Sequence, residues 1–315
     1  MNLEASVNSL KAASDLTRLR LLALLAGGEA TVGELQTVLE QSQPRVSRHL
    51  RILCEGGLAD RFRDGHSVYY RLPSDPSARA FISVLLGRID AEELTIAADR
   101  HKITDVRQEK VREAWSDKDL MVASGRSQIP GLAAEDDLAV AFGELPGDFG
   151  ALLDIGSGTG AVLCYLAGRA GEATGVDISP AMRVVARTRV REAGITNCTL
   201  RKGDMHTLSF ADNSFDTVLL DQVLTLTQTP REALKEAARV LRPEGRLLVL
   251  DRFGPARKSL DQGSGLIGLA ENQLAVMLAE VGLRSGRRRD LAGRLPGFAL
   301  LQAIPALEYG TGTYD

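Results

Sequence analysis

The sequence predicts two domains of different fold class. The first is an α+β domain of helices with one β-hairpin, and the second is an α/β domain with a doubly wound parallel sheet. Three observations predict this arrangement. Helical periodicity near the start gives way to two alternating runs around Asp64-Gly65, strand and helix patterns alternate from residue 150 onward, and the glycine-rich turn GSGTG (156–160) follows the first of those strands.

Composition limits the classes of function. The 315 residues suffice for two domains, and 44% hydrophobic with 25% charged residues is typical of a folded globular protein. The net charge of −3 restricts any nucleic-acid surface to a local patch. The three cysteines (Cys54, Cys164 and Cys198) are far apart and odd in number, which argues against a disulfide framework and favours a reducing cytoplasm. No apolar run reaches the ~18–20 residues of a membrane span, so we expect no membrane association.

The first domain begins with two predicted helices. Residues 10–30 show helical periodicity that ends at Gly27-Gly28, a typical C-terminal stop. The segment TVGELQTVLE follows, with Thr31 as the expected N-cap.

The next segment, PRVSRHLRILC (44–54), predicts a helix with two different faces. Val46, Leu50 and Leu53 share an apolar face, whereas Arg48 and Arg51 lie opposite. Two helices joined by a short break predict a helix-turn-helix whose second helix reads DNA.

A β-hairpin around Asp64-Gly65 is predicted directly after this helix, in the position of a wing. Residues 41–72 contain six arginines and three acids, so their local charge is +3 although the whole chain carries −3. Such a concentration favours contacts with phosphates. The arginines are Arg45, Arg48, Arg51, Arg61, Arg63 and Arg71.

The stretch SQPRVSRHLRILCEGGL (42–58) followed by this hairpin resembles the winged-helix domain of ArsR-type regulators, over about residues 5–75. The resemblance implies a homodimer on a double-stranded DNA operator of imperfect palindromic sequence. It also implies that the first helix and a helix over 77–100 pair the subunits. By motif position, the DNA-binding residues are Ser42, Gln43, Arg45, Ser47, Arg48, Arg51, Arg63 and His66.

Many ArsR-type proteins sense metals, but this sequence predicts no metal site. The helix before the reader carries Gln36 and Val38 where one common site has a CxC pair. Asp99-Arg100-His101 supplies only half of a second type of site, which needs a later HxxE. Soft and borderline metals require thiolates or several imidazoles.

The predicted domain boundaries follow from these patterns. Residues 1–100 form the DNA-binding and dimerisation domain, and residues 101–148 form a linker or cap segment, in which VRQEKVREAW is helical and Trp115 packs against a domain. Residues 149–315 form the second domain.

The glycine-rich turn of the second domain predicts a cofactor site at the carboxyl ends of the strands. Gly156-x-Gly158-x-x-Ala161 also satisfies a relaxed dinucleotide fingerprint, with Asp177 as the ribose ligand, so NAD is an alternative. Asp154, Gly160 and Asp204 favour S-adenosylmethionine instead. An extra carboxylate suits an ammonium or a sulfonium but does not help a pyrophosphate.

The set LLDIGSGTG, VDIS, GDM and RVLRPEGRLLVLD resembles class I S-adenosylmethionine-dependent methyltransferases, with their Rossmann-like fold, over about 150–254. The resemblance implies S-adenosylmethionine or S-adenosylhomocysteine as cofactor. It places Asp154, Gly156, Ser157, Gly158 and Gly160 at the methionine moiety, Asp177 with Ile178 at the ribose, Asp204 and Met205 at the adenine, and Asp221 on the methyl-transfer face.

The sequence after Asp221 leaves the enzymatic activity open. The segment QVLTLTQTP carries no titratable group, and a D/N-PP-Y motif for amino-group methylation is missing. The catalytic residues are unknown, with Asp221 and His206 as weak candidates. A small-molecule methyl acceptor therefore stays undefined.

Two functions follow from the fusion. The leading hypothesis is a DNA-binding transcriptional regulator whose methyltransferase domain senses S-adenosylmethionine and S-adenosylhomocysteine. The alternative is an active small-molecule methyltransferase with an autoregulatory DNA-binding domain. A metal-responsive repressor is a further hypothesis, and the missing cysteines argue against it.

Overall fold

The computed structural model divides the chain into two compact units, Met1–Glu113 and Ala114–Asp315, which we treat in turn. It describes residues 3–65, 67–90, 93–115, 139, 142–145, 147–254, 269–291 and 298–306.

Unit 1 has six helices and a three-stranded sheet within its described residues. The elements are α1 (Leu3–Ala13), α2 (Leu16–Ala26), β1 (Ala30–Thr31), α3 (Val32–Leu39), α4 (Gln43–Glu55), β2 (Asp60–Asp64), β3 (Ser67–Arg71), α5 (Pro76–Leu86) and α6 (Leu94–Trp115). Their inner faces form one core, whose fully buried members include Leu21, Leu35, Leu50 and Leu53.

The single helix expected over residues 10–28 is in fact two. α1 ends at Ala13, and Asp15 starts α2 as its N-cap, accepting a hydrogen bond of 3.0 Å from the backbone N of Arg18. The apolar periodicity continues through the break, whereas the capping side chain stops the first helix. The stop after Ala26 agrees with the prediction, with Gly27 as C-cap.

The helix-turn-helix is formed by α3 and α4. Thr31 caps α3 as expected: its Oγ1 accepts from the backbone N of Glu34 at 3.2 Å, and Glu34 accepts from the backbone N of Thr31 at 2.7 Å. Glu40 turns the chain with a left-handed φ of 54°. Ser42 is the N-cap residue of α4 but makes no capping hydrogen bond through its side chain.

The hairpin of β2 and β3, which we call the wing, follows α4. Its register pairs Asp64 with Ser67, so Asp64 is the last residue of β2 and not part of the turn in which it was expected. Gly65 has a φ of 59°, which suits glycine. β1 pairs with β3 on the other side, and the strand order is β1-β3-β2.

Two helices, α5 and α6, replace the one expected over 77–100. α5 ends at Leu86 with Gly87 as C-cap, and α6 starts at Leu94. α6 continues through residue 100, where the first domain was expected to end, and unit 1 extends to Glu113. The helical interpretation of VRQEKVREAW is confirmed within α6.

Polar contacts attach α6 to α2, to the segment after α2 and to α3. Asp99, which is 2% exposed, accepts two hydrogen bonds of 2.7 Å from the guanidinium of Arg20. Arg107 donates to the backbone oxygen of Glu29 at 3.0 Å, and Lys110 lies 3.1 Å from Glu34. Asp99 is therefore engaged by an arginine, and His101 beside it is exposed.

Unit 2 contains a seven-stranded mixed sheet. Its described elements are β4 (Ala151–Ile155), α7 (Ala161–Ala167), β5 (Glu172–Asp177), α8 (Pro180–Glu192), β6 (Cys198–Lys202), β7 (Phe215–Asp221), α9 (Pro230–Val240), β8 (Leu241–Arg252), α10 (Glu271–Glu280), β9 (Leu283–Asp290) and β10 (Phe298–Pro305).

The strand order of unit 2 is β6-β5-β4-β7-β8-β10-β9, with β10 antiparallel to both of its neighbours. The other four pairings are parallel, which confirms the predicted α/β class. Apolar clusters cover both faces of the sheet. The order reverses between β4 and β7, which is where ligands bind in such sheets.

Replacing Asp99 with alanine is expected to destabilise unit 1 by about 2–3 kcal/mol, because the partly buried Arg20 then loses the carboxylate that accepts both of these hydrogen bonds. Urea unfolding followed by circular dichroism measures this loss. Asp105→Ala, at an exposed position of the same helix, is the matched control and should stay within about 0.5 kcal/mol. Equal effects from both variants would contradict the structural role of the Arg20–Asp99 pair.

Candidate functional site

The first candidate site lies at the carboxyl ends of β4, β5 and β7, around the glycine-rich turn. Gly156, Gly158 and Gly160 have φ values of 73°, 51° and 73°, a region that side chains with a Cβ rarely adopt. A Cβ on Gly156 would lie 2.7 Å from a methyl carbon of Val223. A Cβ on Gly158 would meet only a backbone oxygen at 3.9 Å, so this turn is open on one side.

Asp154 is a buried acid of the site that lacks a full set of hydrogen-bond partners. It is 1% exposed, and its Oδ1 has no hydrogen-bond partner within the described structure. Burial raises the pKa of Asp154 well above its usual value, and the neighbouring Asp221 and Asp177 raise it further. The hydroxyl of Ser157 is also buried without a partner. Such groups call for a polar ligand.

Asp177 joins the end of β5 to the glycine-rich turn. Its two carboxylate oxygens accept hydrogen bonds from the backbone N of Gly158 at 2.9 Å and of Ser179 at 2.8 Å. Burial raises its pKa, while these hydrogen bonds oppose the rise. Each oxygen retains a second lone pair, so the carboxylate can also accept from a hydroxyl group.

Asp221 is the last residue of β7, and Asp251 is the penultimate residue of the neighbouring strand β8. Part of Asp221 is accessible, but its carboxyl group is enclosed, and burial raises its pKa to about 7, with a further rise from Asp251. Asp251 is 1% exposed and accepts from Thr225 through both the backbone N (3.2 Å) and the hydroxyl (2.8 Å).

Asp204 lies apart from this enclosed group and is about half exposed. Its Oδ1 accepts from the backbone N and lies 2.9 Å from the Nδ1 of His206. These hydrogen bonds from His206 lower the pKa of Asp204, so the carboxyl group is ionised near neutral pH. Met205 packs against the core, and Ile178 is 58% exposed beside Asp177.

The structure brings most of the sequence-predicted cofactor residues to one edge of the sheet. Sequence reasoning missed Asp251 and Thr225, although the run VLLD at the end of β7 and the run LVLD at the end of β8 are similar signals. These carboxylates, which accept hydrogen bonds, fit a cationic ligand with a ribose. An unpartnered buried carboxylate suits an ammonium, and the open turn at Gly158 leaves room for a chain to pass.

The second candidate site is the outer face of α4 with the wing. Ser42, Gln43, Arg45 and Arg48 are exposed, whereas Val46 on the opposite face is fully buried. Arg51 and Arg63 are also exposed, Ser47 is partly exposed, and His66 lies outside the described residues.

A groove of about 510 Å³ runs between α4 and the wing. Three guanidinium groups line it, together with Tyr70, whose hydroxyl bonds to Arg61. Sequence reasoning counted Arg61 in the local charge but did not assign it to DNA, because only the fold brings β2 beside α4. The lining residues are Pro44, Ser47, Arg48, Arg51, Cys54, Arg61 and Tyr70.

Two negative findings concern the part of the chain that the structure describes. No group of three His, Cys, Asp or Glu side chains there is arranged to hold a metal ion. No helix there is both long and apolar enough to cross a membrane.

Family models match both units. Residues 15–61 match the bacterial regulatory protein arsR family, and residues 153–249 match the methyltransferase domain. The chain therefore combines an ArsR-family helix-turn-helix with a Rossmann-like methyltransferase domain. The second match implies S-adenosylmethionine as the cofactor of unit 2.

Curated relatives match unit 2. The uncharacterized methyltransferase YcgJ of Bacillus subtilis is 33% identical over 35% of this chain and 44% of its own length. Demethylmenaquinone methyltransferase of Tropheryma whipplei is 40% identical over 34% and 43%. The ubiquinone/menaquinone biosynthesis C-methyltransferase UbiE of Roseobacter denitrificans is 41% identical over 32% of this chain and 41% of its own length. The chain thus spans less than half the length of these relatives.

Two solved structures are also similar. The YcgJ protein of Bacillus subtilis has a TM-score of 0.47 and 19% identity, covering 55% of this chain and 100% of that chain. A SAM-dependent methyltransferase from Aquifex aeolicus has a TM-score of 0.48 and 21% identity, covering 60% and 100%.

The stability of unit 2 is expected to fall as the pH rises from 5 to 8. The folded pKa of Asp221 (about 7) exceeds that of an unfolded aspartate, so the folded state binds the proton more tightly; this advantage declines as the pH rises towards 7 and is gone above it. The loss from Asp221 alone is roughly 2–3 kcal/mol. Urea unfolding at several pH values measures it.

Asp221→Asn should make this pH dependence shallower, because the amide does not titrate, while Asp154, Asp177 and Asp251 still contribute. Glu172→Gln, at an exposed position of β5, is the control and should leave the dependence unchanged. A profile that is as steep in Asp221→Asn as in the unaltered chain would show that Asp221 is not its source.

Proposed function

We propose that this chain is a homodimeric, operator-binding transcriptional regulator of the cytoplasm whose unit 2 senses S-adenosylmethionine against S-adenosylhomocysteine. The observation that carries the proposal is the enclosed group of carboxylates at Asp154, Asp177, Asp221 and Asp251, next to an open glycine-rich turn. Unit 1 provides the output through α4 and the wing.

Charge supports the sensing part. S-adenosylmethionine carries a positive sulfonium that S-adenosylhomocysteine lacks, and both carry an ammonium group. A charge about 4 Å from a carboxylate in a partly desolvated site is worth up to about 4 kcal/mol before desolvation costs. Burial raises the pKa values of several carboxyl groups in this site. The site should therefore bind the more cationic ligand, S-adenosylmethionine, more tightly than S-adenosylhomocysteine.

The outer face of unit 1 supports DNA binding. Arg45 and Arg48 are exposed at the start of α4, the part of a recognition helix that reaches base edges. Arg51, further from the start of the helix, and Arg61 line the groove together with Arg48 and are suited to phosphates. The two sets therefore have different tasks, base reading and backbone neutralisation.

Apolar exposure supports dimerisation through the first helix. Leu3, Val7 and Leu10 lie at positions i, i+4 and i+7 of α1 and are 84%, 39% and 54% exposed. Leu94, at the start of α6, is 83% exposed. A second copy of the chain is the partner that a palindromic operator requires.

The alternative function is methyl transfer to a small molecule, favoured by the methyltransferase family match and by relatives named as quinone methyltransferases. Bound S-adenosylmethionine would supply the electrophilic methyl group. The chain would position the acceptor beside Asp221, which at a pKa of about 7 can take a proton near neutral pH. Accumulation of S-adenosylhomocysteine with one identified acceptor would favour this alternative.

Calorimetric titration with S-adenosylmethionine and S-adenosylhomocysteine, with and without bound DNA, tests the sensor. The DNA is a duplex selected in vitro from a random pool. We expect the affinity of at least one ligand to change about 5- to 150-fold when DNA is bound, because coupling between sites is reciprocal. Equal affinities with and without DNA would refute sensing.

Asp154→Asn provides the control for the ligand site. Burial favours the neutral carboxyl group in the ligand-free protein, so the amide should fold normally. It should bind S-adenosylmethionine at least tenfold more weakly, since the ligand loses a counter-charge, while DNA affinity in the absence of ligand stays unchanged. Full ligand affinity would show that the assigned site is wrong.

Salt dependence separates the two kinds of arginine. Arg48→Ala should reduce discrimination between the selected duplex and a random one by about 1–3 kcal/mol. Arg61→Gln should weaken both duplexes alike and lower the slope of log affinity against log salt by about 0.9. Arg88→Gln, exposed at the end of α5, is the control. Equal loss of discrimination in both test variants would contradict the assigned tasks.

A further inference from the structure

Residues 222–229 connect β7 to α9, and we call this segment the β7–α9 loop. The loop contacts the candidate cofactor site both at the glycine-rich turn and at the side of the site where Asp204 lies. Near its start, Val223 packs on Gly156 so closely that a Cβ there would lie 2.7 Å from its methyl carbon. In its middle, Thr225 is bound to the buried Asp251 through its backbone N and its hydroxyl.

His206 attaches the far part of this loop. The Nε2 of its imidazole lies 3.0 Å from the hydroxyl of Thr227 and 3.0 Å from the hydroxyl of Thr229. The Nδ1 lies 2.9 Å from the Oδ1 of Asp204. One side chain therefore joins the acid after β6 to a loop 21 and 23 residues further along the chain.

The ionised Asp204 determines which ring nitrogen of His206 donates a hydrogen bond to it. A carboxylate can only accept, so the Nδ1 of His206 must donate to it. In the neutral imidazole, Nε2 is then an acceptor for one threonine hydroxyl, and in the charged form it donates to the same oxygens. Both forms keep the bridge, and both ring nitrogens are occupied, which favours a positioning role over that of a general base.

Asp204 retains an oxygen for a ligand. Its Oδ2 makes no hydrogen bond with any other described residue, and the side chain is about half exposed. An exocyclic amino group that donates to Oδ2 would fix the carboxylate, and with it the imidazole that Oδ1 holds. The β7–α9 loop would then become more ordered, although the amino group does not touch it.

We propose that His206 is a positioning residue through which a bound adenosyl group orders the β7–α9 loop. The proposal rests on the cofactor site proposed above, with the adenine amino group at Asp204 as the methyltransferase resemblance implies, and adds the path by which occupancy reaches the loop beside Asp221. The order of contacts is adenine amino group, Asp204, His206, then Thr227 and Thr229. The loop thereby reports the adenosyl group separately from the sulfonium, which faces the carboxylates at the other end of the site.

Hydrogen–deuterium exchange of the peptide covering 222–229 tests this path in the full chain. The probes are adenosine, which lacks the amino-acid tail, and S-adenosylhomocysteine. In the unaltered chain, both should slow exchange of the loop at least threefold at saturation. Protection by S-adenosylhomocysteine alone would overturn the proposal, because it would place the cause at the methionine end.

Three variants interrupt the bridge at different points. Asn at 206 reproduces the position of Nδ1 and Gln that of Nε2, so His206→Asn and His206→Gln each retain one half of the bridge. Thr227→Val with Thr229→Val removes both hydroxyl groups at nearly constant volume. All three should bind adenosine roughly three- to tenfold more weakly and show no loop protection at saturation. His101→Gln, exposed on α6, is the matched control.

The outcomes separate the two proposals. Loop protection that survives in all three variants would overturn the positioning role of His206 while leaving the cofactor site intact. Failure of the unaltered chain to bind either probe would overturn the cofactor site and this inference together. Loss of loop protection in the variants, with the peptide of the glycine-rich turn still protected by S-adenosylhomocysteine, supports both.

Discussion

Carboxyl groups held out of water at one edge of a parallel sheet are the constraint on which unit 2 depends. Four neighbouring strands carry an aspartate as their last or penultimate residue, and burial raises the pKa of each: Asp154, Asp177, Asp221 and Asp251. Neighbouring like charges disfavour one another's ionisation, so burial and mutual repulsion both favour the neutral carboxyl groups in the ligand-free protein. Burying these carboxyl groups costs free energy of folding. The apolar clusters on both faces of the sheet offset this cost.

The charged groups of the candidate site in unit 1 are basic and exposed, whereas those in unit 2 are acidic and buried. The arginines of unit 1 are exposed on α4 and along the groove to the wing, where water hydrates them until an anion replaces it. The chain as a whole carries −3, so attraction to a polyanion is local and falls steeply with salt. Buried acids in one unit and exposed bases in the other are thus suited to a small cation and to an extended anion.

The sequence was sufficient where the signal is local. The cap at Thr31, the stop at Gly27, the wing strands and the order of strands and helices in unit 2 follow from residues within a few positions of each other. It was insufficient where periodicity hides a break, as at Asp15, or where a glycine such as Gly87 divides a long apolar pattern. It also gave no access to contacts between distant residues. The bond from Thr225 to Asp251 spans 26 positions, and only the pairing of β7 with β8 brings the two together.

The way α6 is attached within unit 1 has a consequence for how such a protein can change over evolutionary time. Its contacts include separate ionic and hydrogen-bonded pairs, such as Arg20 with Asp99 and Glu34 with Lys110, in addition to buried isoleucines. A core of interlocking apolar side chains resists single replacements, because each one leaves a cavity or a clash. Separate polar pairs can be weakened, strengthened or exchanged one at a time. Natural variants are therefore able to adjust the docking of this helix in small steps, without repacking the domain that carries it.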